Sequence, residues 1–308
     1  MKYLIAYFFI FGVNINKAQT LKILDNKNHK PIPYAIVLAD NIGYYTNSEG
    51  ELKLNYTNLD SLKIKHVNYY DLNLKYSELS DSIFLKPKTE ILKEITLISY
   101  NNFKEKEIKS KTDVGFVMPI KNSEVISCLE FKKKYQKAYL NKVSFEIGNN
   151  LFFNIIKNLS EEDYYILRLN IYESSKKLYP KETIRKSIVK KVFLKTLFYN
   201  TKNKISNSGY IDFYIQDLQI DIIERHICLG LEVIDTNLHN KKLREVVKFQ
   251  PKLTQKKNKY MITKTYFRNV FNSENELKTY FESLPSYKDF FNNKEPKLLP
   301  YLEIYYKK

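Results

Sequence analysis

The amino-acid sequence predicts an all-β fold made of two sandwiches in series, and three observations predict it. Apolar residues alternate with polar ones in short runs: Leu52 and Leu54 with Lys53 and Asn55, Leu62 and Ile64 with Lys63 and Lys65. Such alternation puts one side of a strand in a core and the other in water. The runs recur about every 8–12 residues with Gly, Pro, Asn or Asp between them, which is sandwich spacing. The chain also holds 26 Tyr and 19 Phe without Trp, and its best helical candidates are only 125–137 and 274–284. Its 308 residues suffice for two domains that each bury a core.

Residues 1–18 begin with a single Lys2, continue with the apolar run YLIAYFFIFGV and end on the polar NINKA before Gln19. A core of about eleven apolar residues is too short to span a bilayer and has the length of a signal-peptide core. The expectation is a signal peptide cut after Ala18 and an exported chain, in the periplasm, at the outer-membrane surface or secreted. No Cys follows the run, which argues against a lipid anchor, and no other stretch reaches the length of a spanning helix. Export permits a disulfide between the two cysteines, Cys128 and Cys228. Both stand in apolar, strand-like settings where a free thiol packs equally well, so pairing stays open.

Residues 19–98 read as a run of short strands and turns. Asp25 to Asn28 is turn chemistry, and Pro31 and Pro33 hold the next segment extended. Residues 34–38 form a β-branched and apolar strand. Asn47-Ser48-Glu49-Gly50 makes a tight turn with Gly where positive φ is needed. Strands follow at 52–54 and 62–65. The order KPIPYAIV, TNSEGELKL, DSLKIKHVNY and a closing ILKEITL is similar to the carboxypeptidase-D regulatory-like domain of exported Bacteroidetes proteins. Asn68 departs from that pattern, which usually has Gly before an aromatic residue. The resemblance implies a seven-stranded prealbumin-like sandwich without catalytic machinery, used as a structural or docking module.

Residues 99–111, SYNNFKEKEIKSK, are polar and read as a linker. From 112 to 308 the alternation resumes at Val143, Phe145 and Ile147, in YYILRLNIYES, and at 187–197, 210–215, 227–234 and 301–306. The order YYILRLNIYE, a Pro-containing loop KLYPKETI, YIDFYI, HICLGLEVID and a closing LPYLEIYYKK resembles a jelly-roll domain often paired with the first one in the same bacteria. On that resemblance residues 236–299 are a long insertion before the last strand.

The formal charge is +17, from 51 basic and 34 acidic residues, and it is uneven. Residues 19–98 hold 10 of each sign, whereas 99–308 hold 39 basic and 24 acidic residues. Only five of those bases are Arg, and the lysines alternate with apolar residues as on solvated strand faces. No nucleic-acid signature accompanies them, which argues against nucleic acid as partner. The four histidines, His29, His66, His226 and His239, fit no metal-ligand spacing. Seven glycines provide no Gly-x-Ser-x-Gly elbow and no phosphate loop. No catalytic residue, metal ligand or cofactor is assigned. Strand carboxylates at Glu146, Glu173, Asp212, Glu232 and Asp235 leave a carboxylate hydrolase as a distant alternative.

One ligand-binding candidate remains: Tyr260, Tyr266 and Arg268 in KYMITKTYFRNVF, where aromatic faces and a cation suit sugars or acidic glycans. The expected function is thus an exported, non-catalytic envelope binding or adhesion module, with a glycan or envelope protein as partner. The alternative is a structural or accessory subunit of an outer-membrane or secretion assembly.

Overall fold

A computed structural model describes residues 19–40, 42–54, 60–88, 103–109, 123–135, 138–148, 159–198, 208–218, 220–222, 225–238, 251–271, 276–289 and 292–307. The expected signal peptide at 1–18, the closing ILKEITL segment and His239 lie outside them. The chain divides into two compact units, Met1–Ile91 and Leu92–Lys308. Both are built of strands, as the alternation predicts.

The first unit contains β1 (Gln19–Asp25), β2 (Ile36–Ala39), β3 (Ile42–Tyr45), β4 (Glu51–Leu54), β5 (Ser61–His66), β6 (Tyr69–Lys75) and β7 (Ser82–Leu85). They form two sheets, ordered β4-β1-β7 and β3-β2-β5-β6. All described pairs are antiparallel except β1 with β7. Alternate residues of both sheets, among them Leu21, Ile23, Val37, Leu54, Ile64 and Ile83, meet in one core. The Asn47 turn forms as its residues demand: Asn47 Oδ1 accepts from the backbone N–H of Glu49 and Glu51, at 2.9 and 2.8 Å. Gly50 has φ +69°, and a β-carbon there would stand 2.7 Å from the Ile23 carbonyl oxygen, so only Gly fits.

The second unit contains β8 (Phe103–Ile108), β9 (Ser123–Phe131), β10 (Ala138–Gly148), β11 (Tyr164–Ser174), β12 (Pro180–Phe193), α1 (Leu194–Phe198), β13 (Ser208–Tyr214), β14 (His226–Asn237), β15 (Leu253–Thr254), β16 (Met261–Asn269), β17 (Lys278–Thr279), α2 (Tyr280–Ser283), β18 (Lys297–Leu298) and β19 (Tyr301–Lys307). A four-stranded sheet runs β13-β10-β19-β8 and a six-stranded one β12-β11-β14-β9-β16-β17. Set aside β15 to β18, and the remaining eight strands pair as first-eighth-third-sixth and second-seventh-fourth-fifth. That is the strand order of a jelly roll, closed by two Greek keys. β15 to β18 fall between its seventh and eighth strands, and β16 widens the larger sheet by pairing with β9. β18 is anchored by Ser127 Oγ, which donates to the Leu298 carbonyl at 2.6 Å, and by Leu298 N–H, which donates to Thr265 Oγ1 at 2.9 Å. Val125, Phe131, Val143, Phe145, Leu169, Phe213, Leu229 and Ile304 lie in the core between the two sheets.

Three expectations are corrected. The segment 99–111 is not simply a linker, because Phe103–Ile108 pairs with β19 as an edge strand. An edge strand satisfies its backbone on one side only and tolerates charge, so FKEKEI buries little but Ile108 and shows no alternation. In 125–137 the described part is not the expected α-helix: 123–131 form β9, and a 3₁₀ turn follows at Lys133–Tyr135. β9 is apolar on both faces because both are covered, which erases the period-2 signal. In 274–284 the described part is β17 followed by the single-turn α2.

Candidate functional site

The three sequence-predicted ligand residues do not form one exposed platform. Tyr266 lies on β16, is only 8% exposed, and donates its hydroxyl to the Leu178 carbonyl at 2.9 Å. Its ring meets Tyr179 edge-on at 5.3 Å. The connection between β11 and β12 therefore covers the outer face of the larger sheet, and Tyr266 packs in a small second core with Ile126, Cys128, Tyr172, Leu178 and Cys228. Cys128 and Cys228 are bonded to each other there. They face each other directly on β9 and β14, with Cα atoms 4.0 Å apart.

Arg268 is not a free cation either. It donates from Nε and Nη2 to Glu124 Oε2, and from Nη2 to the Tyr172 hydroxyl. Glu124 is fully buried and also accepts at Oε1 from Asn170 Nδ2 (2.9 Å) and from the Tyr172 hydroxyl (2.7 Å). Directly opposite on β14, buried Glu232 accepts from the same Asn170 Nδ2 at 3.1 Å and faces Arg168 Nη1 at 3.6 Å. Ser187 Oγ closes the set by donating to Asn170 Oδ1 at 2.8 Å. Two carboxylates and two guanidinium groups balance in charge, as a buried cluster must. Burial first, and then the Glu124 charge, raises the pKa of the Tyr172 hydroxyl far above the usual phenol range. Sequence reasoning missed Glu124 because a glutamate starting an apolar run reads as a strand's wet end.

Tyr260 precedes β16, is half-buried, and packs against the main core. Lysines surround it, with the Nζ atoms of Lys259, Lys106 and Lys134 at 5.0, 5.1 and 5.9 Å from its ring centre. Lys259, and next Lys106, lies beside its hydroxyl and draws the pKa below the usual phenol value.

A tyrosine-lined surface does exist, on the outer face of the four-stranded sheet. Strand alternation inserts Ile211 and Phe213 of β13, Val143 and Phe145 of β10, and Leu302 and Ile304 of β19 into the core. The residues between them point outward. Tyr210 and Tyr214 come from β13, Tyr139 and Lys142 from β10, Tyr301, Glu303 and Tyr305 from β19, and Glu105 and Glu107 from β8. Tyr210 is 55% and Tyr214 71% exposed. The Lys142 ammonium sits between two rings, 5.7 Å from that of Tyr214 and 5.2 Å from that of Tyr301.

Carboxylates order this face. Lys142 pairs with Glu303, which is first among the causes that raise the lysine's pKa. Desolvation, followed by hydrogen bonding to Glu107, raises the pKa of the Tyr301 hydroxyl. Desolvation and neighbouring Glu146 do the same for Tyr210. Glu146 in turn holds Lys252 at 2.8 Å, and Glu107 holds Lys109 at 3.2 Å. Among the described residues Glu105 and Asp212 form no ion pair, so the face is neutral to acidic although its unit is basic. The signal was present in YIDFYI and YLEIYY, where tyrosines alternate with core residues.

The remaining candidates are occupied structurally. His29 packs at a tilt against Phe84 at 5.3 Å, His66 meets Tyr69 edge-on at 5.2 Å, and His226 lies 3.9 Å from Glu130. Glu173 pairs with Lys181 at 2.6 Å, and Asp235 accepts from the Thr236 N–H at 2.7 Å. Among the described residues no three His, Cys, Asp or Glu side chains gather as metal ligands, and no helix is long and apolar enough to cross a membrane. Comparison with protein-family models, with curated proteins and with solved structures finds no match to this chain.

Proposed function

We propose that the chain is an exported, non-catalytic binding module of the cell envelope whose jelly roll takes a neutral glycan on its tyrosine face. The observation that carries this reading is the pair of exposed rings at Tyr210 and Tyr214 on the same face as Tyr139, Tyr301 and Tyr305. An aromatic face stacks on the apolar side of a sugar ring, and carboxylates accept from its hydroxyl groups. Tyr214 and Tyr301 lie two strands apart, about 10 Å at ordinary strand spacing, which leaves room for more than one ring. Glu107 beside Tyr301 and Glu146 beside Tyr210 limit the freedom of these side chains, which lowers the entropic cost of binding. The carboxylates favour a neutral chain over an acidic one and disfavour nucleic acid.

Export is supported by the pattern of residues 1–18 and by the Cys128–Cys228 bond, since disulfides persist in oxidising compartments. The first unit presents the jelly roll, in keeping with its charge balance, its two sheets and its likeness to the carboxypeptidase regulatory-like pattern.

The test is titration of the full chain against neutral and acidic oligosaccharides. A neutral chain binds, added salt leaves its affinity unchanged, and Tyr214→Ala and Tyr301→Ala each weaken it about tenfold without moving the melting temperature. Binding of no oligosaccharide, or unchanged binding by both variants, overturns the reading.

A further inference from the structure

The Tyr260 cluster is a different surface from the tyrosine face. Lys106 alternates with Glu105 and Glu107 along β8, so its side chain leaves on the opposite side of the strand. There it meets Lys259, next to Tyr260 in sequence, and Lys134 from the 3₁₀ turn after β9. The three ammonium groups lie within 6 Å of one phenol ring, and none has a carboxylate partner among the described residues. Three like charges around one ring without a counter-charge raise the local positive potential, and an anion bound beside them lowers it. Tyr135, beneath the same group, is fully buried, and the Lys134 ammonium beside its hydroxyl has its pKa raised chiefly by that contact. Its ring lies edge-on to Tyr260 at 6.4 Å, and the Lys134 ammonium lies 4.9 Å from its centre.

We propose that Lys106, Lys134 and Lys259 around Tyr260 form a binding site for a phosphate group carried on a sugar. Phosphate is the anion that fits. Three ammonium charges match a dianion better than a single carboxylate, and lysine binds phosphate as a point charge. The exposed part of the half-buried Tyr260 side chain lies beside the ammonium groups, where a sugar attached to the phosphate meets it. This site stands whether or not the tyrosine face binds a neutral glycan.

The test titrates the full chain with mannose 6-phosphate, inorganic phosphate, mannose and glucuronate. Mannose 6-phosphate binds most tightly, inorganic phosphate competes with it, and raising salt weakens both. The double variant Lys106→Gln/Lys259→Gln loses affinity about tenfold or more. A charge-matched control elsewhere, Lys27→Gln/Lys288→Gln, stays within about twofold. Both double variants keep the wild-type melting temperature. Equal weakening in the two double variants overturns the site, as does absence of phosphate binding. Glucuronate binding as tightly as mannose 6-phosphate, free phosphate binding as tightly as the phosphosugar, or single-stranded DNA outcompeting both, overturns the ligand.

Discussion

Glu124 lies directly over Gly230 of the neighbouring strand: a β-carbon at position 230 would stand 1.9 Å from Glu124 Oε1 and 3.0 Å from the Tyr172 ring. The glycine is the space into which the buried carboxylate folds. Glu124 cannot withdraw cheaply, because Asn170, Tyr172 and Arg268 all hold it. Gly230→Ala is expected to destabilise the second unit by about 2–3 kcal/mol, as overpacking of a filled site does. Urea denaturation measures it. Adding Glu124→Ala to Gly230→Ala should cost much less than the sum of the single changes, because one clash is then removed with its partner.

Arg268 is expected to report on stability rather than on ligand affinity. Arg268→Met leaves Glu124 buried with neutral partners only and should cost about 3–5 kcal/mol. Glu124→Leu/Arg268→Met, which removes both charges, should recover most of that loss. A double variant as unstable as the single one would mean that packing, and not the orphaned carboxylate, sets the cost.

The Cys128–Cys228 bond closes a loop with a sequence separation of 100. Constraint of the unfolded chain by a loop of that size is worth about 5 kcal/mol in the chain-entropy account. Cys128→Ala/Cys228→Ala should lower the thermal midpoint of the second unit, and reductant should lower the wild-type midpoint toward the same value while leaving the variant unmoved.

The first unit carries a pH-sensitive pair. Asp25 accepts from the Tyr69 hydroxyl at 2.7 Å and from the backbone N–H groups of Lys27 and Asn28 at 2.6 and 3.2 Å. The Tyr69 hydrogen bond, first among these, holds the Asp25 pKa below its ordinary value. Its contribution is therefore full above the unfolded pKa of about 3.9 and is lost as pH falls through the lower folded value. Tyr69 behaves oppositely: burial, then Asp25, pushes its pKa up to about 12. Its contribution is present below the unfolded pKa of about 10 and fades as pH rises through the folded one. The urea midpoint of the full chain against pH should fall at both ends, and Asp25→Asn should flatten the acid limb. An acid limb unchanged in that variant would remove Asp25 from the account.

Much of the fold was legible because it is local. The Asn47 to Gly50 turn, the Asp25 turn, and the inward residues of β5 and β10 follow from side-chain chemistry within a few positions. β8 was not legible, because an edge strand needs no apolar alternation and owes its existence to β19, far along the chain. β9 was ambiguous because both its faces are covered.

The candidate site divides the same way. The sequence by itself determined that tyrosines and lysines would stand on strands of a β-sandwich. Which tyrosines face solvent was decided only by tertiary structure. Tyr266 in KTYFR and Tyr214 in DFYI look alike in sequence, yet Leu178 and Tyr179 cover the first, and the second is 71% exposed. Likewise nothing near Arg268 names its partner, since Glu124 lies 144 positions away. Burial and ion pairing depend on what packs across a sheet face, and only the order of the strands brings those distant residues together.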